Sequence, residues 1–176
     1  MHPRVEVIKA DQGVTKQMDA MVEKLKGRGL LGTFDIITED GSHKHRDQQL
    51  NLAQLLPLVR PGGTYVIEDL QTSFQSGYDV PSRSAQTTAA VLKRWNETGR
   101  LSSSFLTAEQ AASVEDWVES WSMHTANGCE EQWTSSMTCV FRKRPSPRKP
   151  DREQWPKGSA YVWRNGKPVC LRGCAL

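Results

Sequence analysis

Several acids and one histidine stand where two apolar runs stop. "TFDIIT" (33–38) is followed by Glu39 and Asp40 and, after Gly41 and Ser42, by His43; "YVI" (65–67) is followed at once by Glu68 and Asp69. Carboxylates gathered closely repel one another, so at least one is neutralised unless a cation sits among them. Three carboxylate oxygens with little competing nitrogen or sulfur suit a hard ion such as Mg²⁺, completed by water or substrate. His43, three residues past Asp40, is then placed as a base for whatever the ion holds. Plainer uses exist for the same residues. Acids after a strand also serve as N-caps or solvated loop residues, and "EDGS" is ordinary turn chemistry. Lys44, His45 and Asp47 read as solvated first-turn residues. The site rests on the acids falling at two strand ends together.

Those ends must be brought to one place. Both runs are apolar on consecutive positions, as parallel strands covered on both faces are. Between them "DQQLNLAQLLPLV" puts Leu52, Leu55, Leu56 and Val59 on one helical face, ended by the turn Pro61-Gly62-Gly63. One crossover helix makes the strands parallel neighbours, and in an open α/β sheet ligands sit beyond the strands' carboxyl ends. Asp40, Glu68 and Asp69 then converge, with Glu39 close behind.

The rest of the chain reads in the same alternating grammar. "VEVIKA" (5–10) is predicted as a first strand and "TKQMDAMVEKLKGRG" as a helix stopped by Gly27 or Gly29. A further helix is predicted across "AQTTAAVLKRWNE". "DWVESWSMH" and "SMTCVFRKR" read as an antiparallel pair about Asn127-Gly128. From Arg142 the chain turns basic and Pro-rich, which reads as an arm, and Asn165-Gly166 signals a hairpin whose second strand Pro168 confines to an edge. The organisation is a partial α/β domain over 1–144, with the arm and small hairpin over 145–176.

Bulk properties set limits. The net charge of +3 conceals a mildly acidic body and a basic tail: residues 1–141 hold 13 Lys and Arg against 18 Asp and Glu, residues 142–176 hold 10 against 2. No apolar run is long enough to span a membrane, and "MHPRVEVIKADQG" lacks the apolar core of a signal peptide. The four cysteines show no CxxC spacing. These features suggest an intracellular, by default cytoplasmic, protein, with an organelle left open; Cys170 with Cys174 is a weak metal or disulfide candidate.

The stretch "FDIITEDGSHKHRDQQLNLAQLLPLVRPGGTYVIEDLQTSF" resembles the core of the metal-dependent S-adenosylmethionine (SAM) O-methyltransferases of macrolide sugars, the mycinamicin and macrocin type. That family carries a DGSH motif, a helix, then PGG-x-YVIEDL. The likeness covers about residues 4–144 and is strongest over 33–74. It implies Asp40, Glu68 and Asp69 as Mg²⁺ ligands and His43 as general base. It sets Asp11, Gln12 and Glu39 on the cofactor side, with Asp11 and Gln12 near the adenine. The implied fold class is α/β: a truncated Rossmann-like methyltransferase sheet, mostly parallel, with a C-terminal antiparallel hairpin and a basic extension.

The departure from that pattern is as informative. The Gly-rich first strand and turn that would cradle the cofactor are absent, as is the second strand. "KGRGLLG" (26–32) precedes a strand where such a motif should follow one, and reads as a helix stop. "VEVIKA" is left without the neighbour the family gives it, so its backbone groups are expected to go unpaired or to find another chain. Three accounts fit the gap: another polypeptide supplies the front half, the strand has moved within a shortened sheet, or the sequence abbreviates a longer one. The alternative to an enzyme is a retired methyltransferase fold serving as a structural subunit. Its basic tail, with Trp155, Tyr161 and Trp163, would dock it to an acidic protein or to RNA through residues 142–172.

Overall fold

A computed structural model describes residues 5–125, 136–148, 160–164 and 167–169. Helix α1 (Thr15–Gly27) precedes strand β1 (Phe34–Glu39). Helix α2 (His45–Leu55) and a 3₁₀ turn (Leu56–Leu58) lead into β2 (Val59–Ile67), which a second 3₁₀ turn (Leu70–Phe74) follows. Helices α3 (Thr88–Thr98) and α4 (Ala108–Trp117) precede β3 (Val118–Thr125) and β4 (Met137–Lys143), and the short strands β5 (Ala160–Arg164) and β6 (Lys167–Val169) end the described chain. The strands form one sheet in the order β1-β2-β4-β3-β5-β6.

The crossover through α2 makes β1 and β2 parallel, with Thr38 opposite Val66 and Glu39 opposite Ile67. The two strands therefore finish level, and the Glu68 amide donates to the Glu39 carbonyl at 3.0 Å just beyond them. "RPGG" is not the turn before β2 but part of it. Phe34 pairs with Val59 and Ile36 with Thr64, so the extra β2 residues bulge out. Gly62 there holds φ +72°, and a Cβ on Gly63 would stand 2.6 Å from Val59 Cγ1 and 2.8 Å from the Asp35 carbonyl oxygen. Glycine is required at both positions.

The expected first strand does not form. Residues 5–10 carry no regular structure, and Val5 and Val7 are 55% and 70% exposed. A strand needs a ladder partner, and none of the described strands takes this segment as one. Strand β1 is correspondingly an edge, with Ile36 63% exposed. The sheet is mixed, not mostly parallel. The pairs β1/β2 and β3/β5 are parallel; β2/β4, β3/β4 and β5/β6 are antiparallel. The expected antiparallel β3/β4 hairpin is present, although its turn lies outside the described residues.

Three further expectations change. Residues 108–117 form α4, opened by a capping box in which Thr107 and Gln110 exchange side-chain-to-backbone hydrogen bonds. The basic arm does not begin at Arg142: Arg142 and Lys143 are strand residues, and Lys143 is buried. Its Nζ donates to the carbonyls of Leu56, Pro57 and Val59 at 3.0, 3.2 and 2.6 Å and lies 4.7 Å from the Trp117 ring centre. It thus ties the end of α2 to the start of β2. The C-terminal hairpin extends the sheet, since Trp121 and Ser122 of β3 pair with Ala160 and Tyr161 of β5. As expected, Pro168 lies in the edge strand β6.

The main core is built on β2, β3 and β4. Tyr65, Phe141, Trp121 and Trp95 form a chain of ring contacts, each 6.3 Å between centroids, closed over by Leu52, Leu56, Val91 and Leu92. A smaller cluster of Val22, Leu25 and Leu58 seats α1. Gly29, at φ +75°, lets the chain leave α1 after the last turn. Among the described residues, no helix is long and apolar enough to cross a membrane.

Candidate functional site

Asp40 leaves the end of β1 and Asp69 follows the end of β2 by two residues, so the level strand ends set them side by side. His43 reaches the same place from the loop ahead of α2. One ligand atom from each of Asp40, His43 and Asp69 lies within 4.8 Å of the others. His43 Nε2 is 3.4 Å from Asp69 Oδ2. Both residues hold left-handed backbone, with φ +53° and +56°, which His and Asp tolerate better than most residues. Such paired departures are common where side chains must be aimed.

The aim of Asp69 is fixed from behind. Its Oδ1 accepts from the Gln71 side-chain amide at 2.8 Å, leaving Oδ2 toward His43. The buried Thr72 hydroxyl lies 2.9 Å from the Asp69 carbonyl and 3.4 Å from that of His43. His43 Nδ1 is buried without a hydrogen-bond partner among the described residues, while Nε2 faces the carboxylates. Two carboxylates with spare ligand capacity, with an imidazole beside them, fit a small divalent cation, with Mg²⁺ or Mn²⁺ favoured by the oxygens.

The other expected residues fall differently. Glu68 holds its backbone between the Glu39 carbonyl and the Gln48 side chain, and its carboxylate stands outside the group. Glu39 is buried. Its Oε1 accepts from the Gln12 amide at 2.7 Å, and Oε2 has no well-formed hydrogen bond. Burial pushes its pKa up, opposed by the Gln12 bond and by the nearby Gly41 backbone and Asn51 side chain. The Gln12 side-chain amide lies directly over Gly41, so a Cβ there would displace it. Asp11 is exposed and accepts from the Gly13 amide. Gln12 and Glu39 are thus brought together but engage each other, and Asp11 stands apart.

His45 and Asp47 are not solvated. His45 is 0% exposed and Asp47 1%, the latter accepting from Ser42 Oγ at 2.7 Å and from Arg46 at 2.9 Å. A residue the sequence did not suggest explains the start of α2. Lys44 provides no cap, and the Asp79 carboxylate instead accepts from the backbone amides of His45 and Arg46 at 2.8 and 2.9 Å. Asp79, Gln71 and Thr72 carry no motif. Only the polar run after "YVIEDL" hints at the last two.

Comparison with known proteins finds likeness over part of their length. No protein-family model matches the chain. The chain is 37% identical over 75 residues to mycinamicin VI 2''-O-methyltransferase of Micromonospora griseorubida, which is 43% of this chain and 17% of that protein. It is 36% identical over 96 residues to 8-demethyl-8-alpha-L-rhamnosyl tetracenomycin-C 2'-O-methyltransferase of Streptomyces olivaceus, 52% of this chain and 23% of that one. Demethylmacrocin O-methyltransferase of Streptomyces fradiae is 42% identical over 65 residues, 35% and 16% of the two chains. Its curated homologues are thus sugar O-methyltransferases of macrolide and tetracenomycin pathways, and it spans less than a quarter of each of these three. Among solved structures, it is similar to the MycE methyltransferase of the mycinamycin pathway in complex with Mg, SAH and mycinamycin VI. The TM-score is 0.51 at 25% identity, covering 80% of this chain and 32% of that one. The chain has the fold of part of a methyltransferase domain.

Proposed function

We propose that this domain carries the cation-and-base part of a divalent-metal-dependent sugar O-methyltransferase, and that it does not complete methyl transfer by itself. The observation that carries the reading is the meeting of Asp40, His43 and Asp69 at two level, parallel strand ends. Asp40 and Asp69 are the cation ligands, and Glu68 joins them only if its side chain moves. When bound, the cation lowers the pKa of an acceptor hydroxyl. His43 Nε2 takes the hydroxyl proton, and Asp69 Oδ2, 3.4 Å away, favours the imidazolium that results. Positioning by the rigid strand ends supplies much of the remaining effect.

The residues present do not fit a complete SAM site. Among the described residues no Gly-rich loop leads from a strand into a helix, and Glu39 is buried beneath Gln12. We assign no step to SAM held by this chain alone. A second reading follows from the same observation: a retired methyltransferase fold acting as an accessory subunit. The edge strand β1, with Ile36 exposed, supports another polypeptide covering that edge under either reading. Calorimetric titration with SAM, with and without Mg²⁺, separates the two. Mg²⁺-dependent SAM binding by the chain as it exists in its assembly favours the enzyme reading. Absent SAM binding, with the chain purifying inside a larger assembly, favours the subunit.

A further inference from the structure

We infer that Gln71 is a positioning residue for the cation site: it orients Asp69 and links that carboxylate to the β3/β4 hairpin. The inference rests on the cation site proposed above. Gln71 is held at both ends of its side-chain amide. Its Nε2 donates to Asp69 Oδ1 at 2.8 Å, and its Oε1 accepts from the Met137 backbone amide at 2.9 Å. Because Met137 opens β4, which pairs with β2, the anchor for Asp69 lies on the strand next to the one that delivers it. The donor end occupies one carboxylate oxygen and leaves Oδ2 for the cation or for His43.

The arrangement has a definite consequence. A carboxylate free to rotate offers either oxygen in many orientations, and ordering it on binding costs affinity. A second residue that fixes the ligand in advance removes that cost, and loss of such an outer partner typically lowers metal affinity about 10–100-fold. Backbone supports the side-chain bond: the Thr72 amide and hydroxyl both donate to the Asp69 carbonyl, at 3.2 and 2.9 Å. Asp69 is thus held by its main chain from one neighbour and by its side chain from another.

Two variants separate positioning from packing. Gln71→Glu keeps the acceptor for Met137 but sets a carboxylate against Asp69 Oδ1. Gln71→Met fills the same space and loses both bonds. Mn²⁺ is the probe, its affinity measured by calorimetry on the full chain, with thermal unfolding alongside. Positioning predicts that both variants weaken Mn²⁺ binding about tenfold or more. The unfolding curves establish that both variants are folded at the titration temperature. A purely structural role through Met137 predicts wild-type affinity for Gln71→Glu and a loss only for Gln71→Met, which overturns the inference. Affinity equal to or tighter than wild type in both variants overturns it as well. Wild-type protein that takes up no Mn²⁺ overturns the cation site and this inference with it.

Discussion

His43 Nε2 and Asp69 Oδ2 lie 3.4 Å apart, and each residue presents its side chain from a left-handed backbone position. The two residues come from loops after different strands, so the contact exists only because β1 and β2 end at the same level. Conformation and chemistry separate by substitution at Asp69. Asn tolerates left-handed φ at least as well as Asp, whereas Ala does not. Asp69→Asn should therefore fold like wild type and lose at least about tenfold in Mn²⁺ affinity. Asp69→Ala should lose the same affinity and about 1 kcal/mol of stability besides. Calorimetry and urea unfolding on both variants check this.

Gly63 guards the register that makes the strand ends level. A methyl group there meets Val59 Cγ1, the Asp35 carbonyl and the Arg60 carbonyl at 2.6, 2.8 and 3.0 Å, and two of those are backbone. Gly63→Ala should cost about 1–3 kcal/mol in urea unfolding, as overpacking in a tight site does. It should also weaken Mn²⁺ binding without altering any ligand. A stability change within about 0.5 kcal/mol would show that the bulge yields freely.

Lys143 holds three carbonyls at the α2–β2 junction and has no carboxylate partner among the described residues. Lys143→Met retains packing on Trp117 but orphans those carbonyls. The expected loss is about 2–4 kcal/mol, measured by chemical denaturation. Retention of wild-type stability would mean water replaces the ammonium.

His45 makes stability depend on pH. Burial lowers its pKa from 6.5, opposed by the Asp79 charge and by the Gln48 side chain and Thr72 carbonyl, which accept from the protonated ring. The folded protein therefore resists a proton that the unfolded chain accepts. The stability of the neutral state is fully present above 6.5 and is lost as pH falls below it. Wild type should lose stability relative to His45→Leu between pH 7 and pH 5, read from unfolding curves of the two proteins. Parallel curves across that range would place the folded and unfolded pKa together.

How much was legible in the sequence depended on the range of the forces involved. The two strand ends, the crossover helix and the grouping of Asp40 with Asp69 follow from local apolar runs and one short connection. The fate of residues 5–10 did not follow, because a strand-like pattern cannot supply its own ladder partner. Helix α4 was signalled by "TAEQ" at 107–110, a capping box that the strong strand signal just after it obscured. The burial of His45 and Glu39 could not be read locally. Asp79 folds back onto α2 from 34 residues away, and Gln12 reaches Glu39 across 27. The buried role of Lys143 was masked by the basic run that follows it.

The central claim is that Asp40 and Asp69 hold a divalent cation beside His43. Anomalous diffraction at the manganese edge, from crystals of the protein grown with Mn²⁺, tests it most directly. The expected result is a peak within ligand distance of a carboxylate oxygen of both Asp40 and Asp69, absent from Asp40→Ala crystals. A peak elsewhere, or none between those two residues, would contradict it.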